Sequence, residues 1–159
     1  MNKRQKVLFE QLYTYRDELL QLVEDVSDEA ANMIPHGWNN NIRWNLGHIY
    51  LDQYLWIHTL TKEEVPVSMC FNGWFGFGTS PKQFTHETPT FQELIKLLNQ
   101  QPDEIKGRYK DRLEEQFPPT EMGMHTIEQV LIRTIFHEGL HTGAILAIKK
   151  GLKMKTAEA

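Results

Sequence analysis

One stretch of this chain constrains its fold more than any other. Ile127, Val130, Thr134, His137, His141, Ala144 and Ile148 recur at alternating steps of three and four. That spacing sets all seven on one face of an α-helix, the face a helix turns toward a partner. The apolar members need other helices to cover them. The two histidines, four residues apart, make that covered face polar at one level.

Three further patterns supply the partners. Leu8, Leu12, Tyr15, Leu19, Leu22 and Val26 form a stripe of the same kind, with Glu10, Arg16, Asp17, Glu18 and Glu24 between them as the expected solvated face. Ser27 and Asp28 then read as the cap of a short turn over 29–33. A second long helix is expected over about 42–60, capped from the run Asn39–Asn41. It is apolar nearly all round (Ile42, Trp44, Leu46, Ile49, Leu51, Leu55, Trp56, Ile57) and so buried on most sides. A third opens at the capping box Thr90 to Glu93 and keeps Phe91, Ile95, Leu98, Ile105, Tyr109 and Leu113 in one register. Because that register survives Pro102, the reading is one helix kinked there, ended by Pro118–Pro119. The last helix opens at the capping box Thr126 to Gln129 and is expected to run to about 150, with Gly151 as its stop.

Between the second and third helices, residues 62–88 have no helical period. They hold Pro66, Gly73, Gly76, Gly78 and Pro81 beside Phe71, Trp74, Phe75 and Phe77. A connection of that length in a compact domain tends to be functional or a long crossover. Its aromatics predict that it packs down, either roofing a pocket or capping the core. No strand-like alternation and no internal repeat occur. The expectation is an all-α four-helix bundle with a long aromatic crossover between helices 2 and 3, as one domain over 1–159.

Charge and cysteine content remove several classes of function. With 17 Lys and Arg against 21 Asp and Glu, the net charge is −4, and no basic stripe exists to follow a phosphate backbone, so no nucleic acid is expected. No apolar window reaches membrane-spanning length, so no membrane is expected either. The single cysteine, Cys70, excludes an internal disulfide framework; with no secretory pattern at the start, a cytoplasmic location is expected. Cys70 has no basic motif beside it and reads as a packing residue.

The chemistry lies with the histidines. Two imidazoles at i and i+4 have Cβ atoms about 5–6 Å apart and can converge on one metal ion. Burying two of them without a shared ligand costs desolvation twice. On the second helix, His48 shares a stripe with Trp44, Leu51 and Leu55, and its neighbour Gly47 leaves room beside it. His48, His137 and His141 would give three neutral ligands and an open coordination position, the pattern of a catalytic site. Asp52, at i+4 from His48, is placed to orient a ligand or a bound water. His58 falls about 80° round the helix from His48 by the 3.6-residue period, and His36, His86 and His125 fall in expected loops.

The stretch from Asn39 through Arg43, Trp44, Asn45, Leu46 and Gly47 to His48 and Ile49, together with His137–Glu138–Gly139–Leu140–His141–Thr142–Gly143–Ala144–Ile145, resembles the two signatures of the DinB/YfiT-like superfamily. The resemblance covers essentially the whole chain. It implies an up-down-down-up bundle, a three-histidine site for a divalent metal (zinc, nickel or iron) and, in many members, a homodimer. Some relatives are thiol S-transferases that join bacillithiol, mycothiol or another small thiol to electrophiles. The resemblance thus implies a metal-dependent enzyme whose partners are a small-molecule thiol and an electrophile.

Two alternatives stand beside it. The first is a metal-bound stress or interaction bundle with no catalysis. The second, least favoured, is a metallohydrolase, because His137–Glu138–x–x–His141 also fits H-E-x-x-H with Glu138 as base. A metzincin extension would need Gly and His where Ala144 and Ala147 stand. For a further acidic ligand only Glu158 follows. Glu138 is one helical step from His137, so a helix interface or a place behind the ligand set suits it better.

Overall fold

The first helix, α1 (Lys3–Val23), starts at Asn2, whose side chain accepts from the Gln5 amide while the Gln5 side chain answers back. The computed structural model describes residues 1–157, with side chains as far as Lys153. It contains a short α2 (Asp28–Asn32), then α3 (Ile42–Thr61), α4 (Cys70–Phe75), a 3-10 turn (Pro81–Gln83), α5 (Phe91–Tyr109) and α6 (Ile127–Ala157). No strand occurs among the described residues, and none of their helices is long and apolar enough to cross a membrane.

The four long helices form the bundle, with α3 and α1 each packed against both α5 and α6. Hydrogen bonds between helices set the directions. Arg4, at the start of α1, pairs with Glu128 at the start of α6 and with Glu114 beyond the end of α5. Lys149, far along α6, reaches the end of α1 at the Leu22 carbonyl. Tyr54 on α3 donates to Glu104 on α5, and Arg112 beyond α5 pairs with Glu63 just past α3. Thus α1 and α6 run one way, and α3 and α5 the other.

The expected caps form. Ser27 caps α2, Asn41 caps α3, and Thr90 and Thr126 make the reciprocal pairs with Glu93 and Gln129. Five expectations need correction. On α1 the buried face is Leu8, Phe9, Leu12, Arg16, Leu19 and Val23, while Tyr15 is exposed. Arg16, expected in solvent, is 1% exposed. The third helix ends at Tyr109, short of Pro118, although Leu113 is still buried. Gly151 does not stop α6, which runs on to Ala157, because the helix needs no left-handed turn at that point. The crossover is less irregular than its sequence suggests, since α4 and the 3-10 turn lie within it.

The reason Arg16 is buried is visible at the bundle centre. Its Nε and Nη2 clasp the two oxygens of Glu138 on α6 at 2.7 and 3.1 Å. Nη2 also donates to Gln53 on α3, at 3.1 Å. Nη1 donates to Gln101 at 3.1 Å and to the Leu98 carbonyl at 2.6 Å, both on α5. That carbonyl is the one Pro102 leaves without a helical partner, since proline has no N–H to offer four residues on. One guanidinium therefore fills the gap in α5 and joins all four helices.

Removing one member of a buried ion pair strands the other, a loss of about 3–5 kcal/mol. Arg16→Met should lower stability to denaturant by that order. The double variant Arg16→Met with Glu138→Leu should recover part of the loss. Equal losses in the single and double variants would mean that the pair itself does not hold the bundle.

Candidate metal centre

His48, His137 and His141 come together in the bundle core between α3 and α6. One ligand nitrogen from each lies within 4.8 Å of the others. Ring centroids are 4.6 Å apart for His48 and His141 and for His137 and His141, and 5.1 Å for His48 and His137. The rings are buried or half-buried.

In each ring Nδ1 faces an oxygen. His48 Nδ1 lies 2.6 Å from the Phe75 carbonyl, and His141 Nδ1 lies 2.7 Å from Asn45 Oδ1. His137 Nδ1 sits 2.8 Å from Asp52 Oδ2, close enough for an ion pair though not aligned as a hydrogen bond. A carbonyl can only accept, so the proton of His48 belongs on Nδ1, and Nε2 keeps its lone pair. The same argument sets His137 through the carboxylate and His141 through the amide oxygen. Three Nε2 lone pairs are then left to converge.

His137 Nε2 and His141 Nε2 are 3.2 Å apart. Two lone pairs at that distance repel unless a cation or a shared proton lies between them. Two nitrogens bound to one zinc at about 2.0–2.1 Å and near the tetrahedral angle would be about 3.3–3.4 Å apart. The donor set, its burial and this spacing fit a divalent ion.

The fold holds each ring by a local device. Asn41 caps α3 by accepting from the Trp44 amide at 2.7 Å, and its backbone carbonyl accepts from Asn45 Nδ2 at 2.8 Å, which turns Asn45 Oδ1 toward His141. Trp44, one turn before His48, stacks on it with centroids 4.8 Å apart and planes 10° from parallel. Gly47 lets α4 come close. A Cβ there would lie 2.3 Å from the Phe75 ring, and Phe75 brings the carbonyl that sets His48. The crossover is tied back to the same helix by the Trp44 indole, which donates to Thr79, and by Arg43, which donates to the Thr88 and Pro89 carbonyls.

The other candidates are placed as follows. Asp52 lies beside His137, on the side away from the converging nitrogens. Glu138 does not turn toward the histidines. It is 3% exposed and is bound by Arg16. That pairing removes it from the role of general base in an H-E-x-x-H site. Glu158 lies outside the described residues. His58 is exposed and bonds near the Glu63 carbonyl, and His36, His86 and His125 are exposed as well. Cys70, expected to pack, is exposed. Phe71 and Phe75 enter the core, whereas Phe77 is entirely exposed at the mouth of the site. Reasoning from the sequence missed Asn45 and the Phe75 carbonyl. Asn45 was legible as i+4 from the Asn41 cap; the carbonyl carries no side-chain signal.

Two clefts open onto the cluster. One, of about 670 Å³, is lined by His48, Asp52 and His137, with Trp56 and Arg133 further along. The other, of about 970 Å³, is lined by His48, His137 and His141, with Trp44 and Asn40. Phe77 stands at both.

A four-helix bundle with three imidazoles converging in its core and open space on two sides defines a class of bundle proteins with a three-histidine site. The model of the DinB superfamily matches residues 11–145, and the chain belongs to that superfamily. No curated protein matches the chain.

Desolvation, with the nearby His48 and His137, pushes His141 down to about 3, and desolvation also lowers His48. Between about 6.5, the unfolded value, and that depressed value, the unfolded chain binds protons at His141 that the folded chain refuses. Stability of the metal-free protein therefore falls as pH drops through this window. Thermal melts in chelator from pH 7.5 to 4.5 should show this, and His141→Gln should flatten the slope. An unchanged slope in that variant would remove His141 as its source. Gly47→Ala should displace Phe75, cost about 1–3 kcal/mol by overpacking and weaken metal affinity; a melt and a zinc titration read the two effects.

Proposed function

We propose that this chain is a divalent-metal-dependent enzyme that transfers a low-molecular-weight thiol to an electrophile, with His48, His137 and His141 as the metal ligands. The observation that carries the reading is the pair of clefts meeting at one cluster of three imidazoles. A site that only holds a fold has no use for open approaches from two sides. Two substrates that must meet do.

His48, His137 and His141 would hold the divalent ion, which when bound would supply the positive charge that favours the thiolate form of a thiol, the nucleophile, at neutral pH. The chain's own residues do the rest. Asp52, Asn45 and the Phe75 carbonyl keep the three rings aimed inward. Trp44 stacks against His48 and walls one cleft, Trp56 walls the other, and burial disfavours the charged forms of His48 and His141. Zinc, nickel and iron all accept imidazole ligands, and the donor set favours none of them strongly.

Protein purified without chelator should carry about one divalent metal per chain, by elemental analysis. His48→Ala, His137→Ala and His141→Ala should each lose it. A screen of thiol consumption with a chloronitrobenzene electrophile should then show activity that chelator removes. Metal retained in His141→Ala would sink the ligand assignment. Metal bound with no thiol ever consumed would favour the non-catalytic bundle. Chelation should lower the melting temperature and leave a cooperative helical fold, because the apolar core and the Arg16 network do not involve the ion.

A further inference from the structure

The smaller cleft holds a cation with nothing to bind. Arg133 lies on α6 one turn before His137, on the cleft wall, with its Cζ 5.8 Å from the centroid of the Trp56 ring. It makes no hydrogen bond or ion pair among the described residues, and its Nη1 is shielded from solvent without a partner. The other buried charges at this level are paired. Asp52 is engaged by His137, and Glu138 is spent on Arg16. Lys62, at the left-handed end of α3, and Glu121, from the loop before α6, line the outer part of the same cleft without reaching Arg133.

A guanidinium half-removed from water and left unpaired is a cost the fold does not recover by itself. It is weakly hydrated, lies against an aromatic ring and offers planar paired donors, which suit a carboxylate. Helical spacing puts it next to His137, so a small molecule could reach both.

Resting on the thiol-transfer reading above, we propose that Arg133 is a positioning residue that binds a carboxylate on the substrate entering this cleft, so that the site prefers carboxylate-bearing small thiols. The affinity of a charge-assisted pair makes that preference about tenfold or more.

The test is calorimetry on the zinc-loaded protein with three probes: 3-mercaptopropionate, 2-mercaptoethanol and glutarate. The wild type should bind mercaptopropionate at least about tenfold more tightly than mercaptoethanol. In Arg133→Met that ratio should fall toward one while the mercaptoethanol Kd stays unchanged, and Arg133→Lys should keep part of the preference. A circular dichroism melt checks that both variants fold. If Arg133→Met does not fold, the Arg133→Lys ratio alone decides. Equal binding of the two thiols by the wild type, or a preference that survives Arg133→Met, overturns the proposal and leaves the thiol reading standing. Binding of glutarate that depends on Arg133, with neither thiol bound, keeps the carboxylate site and overturns the thiol reading. No binding of any probe overturns both.

Discussion

The buried clasp between Arg16 and Glu138 is the interaction on which the remaining structure depends. An unpaired charge at that depth would cost several kcal/mol, so the four helices can close only in the arrangement that brings all the partners together. Arg16 comes from α1, Gln53 from α3, Leu98 and Gln101 from α5, and Glu138 from α6. Each of the five donor positions of the guanidinium is used. Sliding any helix by one turn would leave donors or acceptors unmatched, which apolar packing alone would not forbid. The contact with Leu98 also makes Pro102 tolerable inside a long helix.

The same clasp positions the site. Gln53 and Glu138 face the Arg16 side, and their chain neighbours Asp52 and His137 face the cluster side. Fixing one pair fixes the register of the other, and so the 2.8 Å approach of Asp52 to His137. The polar core thus has two halves back to back. One half is closed and fully satisfied; the other carries the three imidazoles beside Asp52 and is open to two clefts. Stability rests on the first, which leaves the second free to hold lone pairs that face one another at 3.2 Å.

The crossover completes the open half by a different kind of force. Aromatic burial at Phe71 and Phe75 draws α4 onto α3, and Gly47 permits the close contact. The Phe75 carbonyl then becomes the partner of His48. A segment that lacks helical period is ordered because α3 offers it hydrogen bonds from Arg43, Trp44 and His48 in succession.

The sequence by itself determined the all-α class, the caps at Ser27, Thr90 and Thr126, a cap from the run Asn39–Asn41, and the three histidines that meet. All of these are local or periodic: a cap needs residues three apart, and a shared helix face follows from the 3.6-residue turn. The same i+4 rule puts Asp52 on the His48 face of its helix, and the structure has it beside His137. The tertiary structure alone decided that Arg16 is buried, because a charged residue reads as solvated until its distant partner Glu138 is known. It decided which way Glu138 turns, that Tyr15 is outside and Phe9 inside, that Cys70 is exposed, and that a backbone carbonyl of Phe75 orients His48. Each of these depends on residues far apart in the chain whose electrostatic or packing complement is supplied only when the helices meet, and periodicity along one helix carries no information about the charge waiting on another.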